Sequence, residues 1–135
     1  MAIQNRLPLC LLCLRLSVFL VMLMWTLDKF VRPDHAINVY AHFYGLGGVS
    51  HPVMYILGGL ELSLLVAFLF GIKPRFSYGL VFLLHGVSTV SSWYQYTQPF
   101  AGPNLLFFAA WPMLAACLTL FLMRDQDRLL TLRRL

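Results

Sequence analysis

Four long apolar runs, at about residues 7–28, 53–72, 76–96 and 105–123, constrain this chain more than any other feature. Each meets the ~20 residues that a helix needs to cross the hydrocarbon of a bilayer. In that solvent every backbone N–H and C=O must be satisfied within the segment, and a helix does this. Composition agrees: of 135 residues, 60% are hydrophobic and 11% charged, and the mean hydropathy is +0.76. A soluble domain of this length cannot hide so much apolar surface. The expected fold is all-α, a single domain over residues 1–135 built as a bundle of four transmembrane helices. Its breaks carry helix-ending residues: Arg32-Pro33, Gly47-Gly48 with Pro52, Lys73-Pro74-Arg75, and Pro99 with Gly102-Pro103. The first run is read as a retained helix, because it is too long for the apolar part of a signal peptide and no small-x-small cleavage site follows.

The net charge of +5 does not point to nucleic acid, because the basic residues flank apolar runs and form no patch. They orient the chain in a membrane instead. Arg6, Arg15, Lys73, Arg75, Arg124, Arg128, Arg133 and Arg134 fall on one side, whereas Lys29 and Arg32 fall on the other, beside Asp28 and Asp34. The positive-inside rule then puts both termini in the cytoplasm of a cell with this protein in its inner (plasma) membrane. Residues 95–104 carry no charge, as expected of an exterior loop. Within the first loop, Ile37, Tyr40, Ala41 and Tyr44 recur at i, i+3, i+4 and i+7. That periodicity predicts a short helix lying at the membrane interface.

Glu61 is the only charge in the second run. A carboxylate in hydrocarbon costs several kcal/mol, so it must face protein and be paired or protonated. The third run offers a partner. His85, Ser88, Thr89 and Ser92 lie at i, i+3, i+4 and i+7, a polar face that lipid would turn inward. Glu61 is nine residues past Pro52 and His85 eleven before Tyr96, so at ~1.5 Å per residue they sit at similar depth. Arg15 has a stem long enough to reach toward them. The expected buried polar cluster is thus Arg15, Glu61, His85, Ser88 and Thr89. Two readings stand at this point: an acid–base site for a proton, a quinone or another small polar head group, and a structural clasp between helices.

Other chemistry is weakly signalled. His35 and His42 are two turns apart on one helical face, which would suit a labile copper or zinc site, but no metal-binding motif is present. Only His85 falls mid-membrane, so a bis-histidine haem has no second ligand. Cys10-x-x-Cys13 has redox spacing without the βαβ setting that gives it meaning, and Cys117 stands alone. Gly58-Gly59, Ala109-Ala110 and Ala115-Ala116 suit close helix approach, and Pro112 predicts a kink in the fourth helix. Trp25, Trp93, Tyr94 and Tyr96 are expected as interfacial anchors.

Leu14-Arg15-Leu16 and Leu27-Asp28-Lys29-Phe30 in the first run resemble the first helix of the DoxX family. Gly58-Gly59-Leu60-Glu61-Leu62 is similar to that family's Gly-x-x-Glu-Leu element, and Gly71-Ile72-Lys73-Pro74-Arg75 to its turn into the third helix. The resemblance covers residues 14–85 and marks Arg15, Asp28, Lys29, Glu61 and Arg75 as family-like polar positions. It implies a DoxX/DoxD/MauE-like four-helix membrane protein. Relatives of that group include subunits of a thiosulfate:quinone oxidoreductase and proteins that help redox enzymes mature. The implied role is an accessory subunit of a quinone-linked membrane redox complex rather than an enzyme on its own. The alternative is a non-enzymatic assembly or chaperone factor, or a structural subunit, that binds partner transmembrane helices. Other membrane subunits or further copies of this chain are the expected partners.

Overall fold

The computed structural model describes residues 2–132 and contains only helices and turns among them. Arg133 and Arg134, counted above among the orienting charges, lie outside the described residues. The helices are α1 (Ile3–Val31), α2 (Pro33–Tyr44), α3 (His51–Leu69), α4 (Pro74–Ser91), α5 (Trp93–Thr97) and α6 (Ala110–Leu122), the last entered through a 3-10 turn at Asn104–Ala109. A second short 3-10 turn, Arg124–Gln126, follows α6. Three helices are long and apolar enough to cross a membrane: Ile3–Val31, His51–Leu69 and the continuous Asn104–Leu122. The helix at Pro74–Ser91 falls short of them in hydropathy because Ser77, Tyr78, His85, Ser88 and Thr89 occupy its inner face.

The joints follow from local chemistry. Arg32 precedes Pro33 and is pushed out of the helical region, to φ −131° and ψ 67°, so α1 turns at once into α2. Pro33 opens α2 at the position where a missing N–H costs nothing, and Gly45 closes it at φ +67°. Ser50 caps α3 by accepting from the Val53 N–H. Gly71, at φ +64°, reverses the chain between α3 and α4, and Pro74 opens the latter.

Helices α1, α3, α4 and α6 pack as a ring, each against the next, with α6 returning to α1. Their core is Leu11, Val18, Met22, Leu65, Phe68, Tyr78, Val81, Cys117 and Leu120. Outward-facing Leu20, Ile56, Leu60, Leu83, Val90 and Leu118 are all exposed, the inverse of a water-soluble surface. The N-terminal half of α1, the α3–α4 turn and the end of the chain meet at one end of the bundle. There Leu132 N–H bonds the Phe70 carbonyl. Helix α2 crosses the opposite end.

Three expectations change in detail. The third run does not continue to residue 96, because the helix stops at Ser91 and restarts at Trp93. Thr89, Ser91 and Ser92 hydroxyls each donate to the carbonyl four residues back, competing with the backbone ladder just where it breaks. Pro112 does not sit inside a uniform α-helix. It falls in the first turn of α6, where Pro is tolerated, and the chain before it tightens into 3-10 geometry instead. The covered face of α2 is Ala36, Ile37, Val39, Tyr40, Phe43 and Tyr44, so it includes Ile37, Tyr40 and Tyr44 as expected, while Ala41 is exposed and the face is broader than the expected stripe.

Candidate functional site

Beneath α2 the bundle opens into a cleft of about 1180 Å³. Its walls come from α1, α2, α4, α6 and the Asn104–Ala109 turn, with Glu61 as the sole contribution of α3. Most of the lining is aliphatic or aromatic. The polar groups gather at the α2 end: Asp28, Lys29, His35, Glu61, His85, Ser88 and Thr89. An apolar cavity with a few convergent polar groups is the usual form of a small-molecule site.

Glu61 is positioned by a glycine. A Cβ built on Gly58 would lie 2.8 Å from Phe30 Cζ and 3.4 Å from Lys29 Cβ, so its absence lets α3 approach α1 at that level. One turn further along α3, Glu61 Oε2 meets Lys29 Nζ at 2.7 Å, the two side chains 17% and 9% exposed. The ammonium also lies 5.7 Å from the centre of the Tyr40 ring, a cation–π distance. Tyr40 closes the pair off from above. Burial, then the Glu61 charge, then Tyr44 push its hydroxyl up to about 12, so Tyr40 remains a neutral donor at physiological pH.

His85 is fully buried and stacks on Trp25 at 5.9 Å and 25°. Its Nε2 lies 2.9 Å from the Ala110 carbonyl. A carbonyl only accepts, so Nε2 carries the proton and Nδ1 of the neutral ring presents a lone pair. That Nδ1 is buried and has no partner. Ser88 Oγ bonds Tyr44 Oη at 2.7 Å, tying α2 to α4, and Thr89 Oγ1 donates to the His85 carbonyl. Two His–carboxylate contacts hold α2 further. His35 Nδ1 meets Asp28 at 2.6 Å and His51 Nε2 meets Asp34 at 2.6 Å.

The expected cluster is therefore divided. Glu61, His85, Ser88 and Thr89 line one cleft, but Glu61 takes Lys29 as its partner and His85 takes a backbone carbonyl. Arg15 is a correction. It does not reach toward Glu61; it points to the opposite end, where a nearer acid is available. Its Nη1 pairs with Asp127 Oδ1 at 2.8 Å and its Nη2 donates to the carbonyls of Leu129 and Leu130. Tyr78 Oη donates to Asp127 Oδ2 at 2.6 Å, and Arg15, Tyr78 and Asp127 are all fully buried. This is a clasp that folds the end of the chain over the bundle. Asp28 and Lys29 line the cleft, whereas exposed Arg75 in the first turn of α4 lies outside it.

The role of Asp127 was missed from sequence, although a signal existed. The chain has five acidic residues, and Asp125 and Asp127 are the two that follow the last apolar run, on the side where Arg15 was expected. Lys29 was noted as an orienting charge and for its family resemblance, not as the partner of Glu61. Cys10 and Cys13 face outward and Cys117 is buried. His35 is engaged by Asp28 rather than by His42, which packs edge-on against Phe43.

No family model matches the chain, and no characterised protein or solved structure matches it either.

Proposed function

We propose that this chain is a DoxX-like, four-span integral protein of the inner (plasma) membrane that holds the head group of a lipid-borne quinone as an accessory subunit of a redox complex. The observation that carries this reading is the polar end of the cleft, where the buried Lys29–Glu61 pair and an unpartnered His85 Nδ1 line one apolar chamber. A quinol offers two oxygens across a flat ring. One hydroxyl would donate to the His85 Nδ1 lone pair, and the opposite oxygen would accept from Lys29 Nζ or Tyr40 Oη. Glu61 pairs with Lys29 Nζ at 2.7 Å and so holds that donor in place within an apolar setting. The bundle binds and orients the head group, and electrons pass to or from the partner subunits.

The fourth span of this proposal is α4. Its exposed Leu80, Leu83, Val87 and Val90 support a lipid-facing side, and its polar face turns inward as membrane helices require. Helix α2, with Tyr40, Phe43 and Tyr44 inward and charged Asp34 outward, lies at the exterior interface, and both termini are cytoplasmic.

Purification in mild detergent followed by solvent extraction tests the function. Quinone should co-purify with the wild type and be lost from His85→Leu, while that variant stays inserted and bound to its partner subunits. Partner subunits without quinone in the wild-type preparation would overturn the quinone reading in favour of an assembly factor.

A further inference from the structure

The cleft does not end at its polar groups. From Trp25 it continues along the seam between α1 and α6 toward the end of the bundle that carries the Arg15 clasp. On α1 the lining residues Leu14, Ser17 and Val21 recur at one-turn intervals, and on α6 they are opposed by Met113 and Ala116. Small side chains at Ser17 and Ala116 keep this seam from closing. Ser17 and Val21 are also exposed, so the seam opens sideways rather than into a sealed interior. Fifteen residues separate Leu14 from Lys29, a distance of ~22 Å along the helix axis.

We propose that the α1/α6 seam is a tail groove, occupied by the hydrocarbon chain of the same amphiphile whose head lies at Lys29, Glu61 and His85. The inference rests on the quinone reading for the head group and adds the direction and class of the ligand. It is a single-chain, membrane-borne molecule that enters sideways from the bilayer and lies along α1 with its tail toward the Arg15 end. Three observations carry it. The groove is continuous with the polar end. The polar end holds a fully buried imidazole nitrogen without a partner. Below Lys29, Asp28 and Glu61 the groove has no charged side chain in its lining, and its one hydroxyl, on Ser17, already donates to the Cys13 carbonyl, so a water-soluble ligand would find little to bind there. A two-chain phospholipid fits poorly, because the seam presents a single row of lining side chains on each helix.

A decyl-tailed benzoquinone with a photoreactive group at the tail terminus tests the proposal on the full chain in lipid nanodiscs. Labelling should concentrate on α1 near Ser17 and on α6 near Ala116, be displaced by excess unlabelled decyl benzoquinone, and be lost from the seam in Ser17→Phe. Ala116→Leu serves as a second, independent obstruction of the groove. Both variants should still retain their fold by circular dichroism. Labelling spread evenly over outward residues such as Leu60 and Val90, or unchanged by both obstructions, would overturn the tail groove even if quinone still co-purifies. A photoreactive stearate that labels the seam saturably, where the quinone probe does not, would uphold the groove and refute the quinone head group.

Discussion

Lys29 and Glu61 meet at 2.7 Å with little water around either side chain, and the energetics of such a pair are lopsided. Removing one partner strands a charge, which costs on the order of 3 kcal/mol, whereas replacing both with apolar residues is often neutral or better. Glu61→Gln should therefore lower the thermal midpoint in detergent. Glu61→Ala should lower it further, because Gln keeps one acceptor for Lys29 Nζ. The double variant Lys29→Met with Glu61→Leu should recover most of the loss. Equal midpoints for all three would show that the pair does not hold α1 to α3. The Arg15 clasp makes the same point more strongly, since both its charges are fully buried and Tyr78 adds a hydrogen bond. Arg15→Leu should cost ~3–5 kcal/mol and free the end of the chain for proteolysis near Leu130; a protected chain end would contradict this. At this scale the sequence disclosed that Arg15, Glu61 and His85 had to face protein, but not that Lys29 and Asp127 would be buried with them. It did not disclose who meets whom, because partner choice depends on where α1 and residues 127–132 cross, and no spacing rule encodes that.

Among elements, the α1–α3 contact turns on one of two adjacent glycines. A Cβ at Gly58 would strike Phe30, while at Gly59 nothing lies within 4 Å. Gly58→Leu should separate α3 from α1, break the Lys29–Glu61 pair and destabilise by about 2 kcal/mol, as overpacking does. Gly59→Leu should be neutral or slightly stabilising, because a helical Gly costs up to ~1 kcal/mol relative to better helix formers. Thermal midpoints of the two variants, measured side by side, decide this, and the same response at both would refute the close approach. Helix existence was readable from the apolar runs and from Pro33, Gly45 and Pro74, since those signals are local. The break at Ser92 and the 3-10 entry before Pro112 were not. They arise from hydroxyls bonding back to carbonyls and from a proline absorbed into a first turn, and each depends on the final register.

Taken as a whole, the bundle is closed at one end and open at the other. Phe68, Tyr78, Leu120 and the Arg15–Asp127 clasp fill the end that holds the α3–α4 turn and residues 127–132, while α2 roofs a cleft at the far end. The all-helical architecture was legible because lipid leaves few alternatives. The cleft was not, since it forms where α2, α4 and α6 face α1, and pattern alone does not specify those meetings. The central claim, that this cleft holds a quinone at Lys29, Glu61 and His85, has a built-in reporter: Trp25 lines the cleft and stacks on His85. Trp93→Phe and Trp111→Phe leave Trp25 as the only indole, and quinones quench indole fluorescence on contact. Titration of decyl benzoquinone should quench Trp25 saturably, and the folded Lys29→Met, Glu61→Leu variant should lose that saturable component. Linear, unsaturating quenching that is identical in both proteins would contradict the claim.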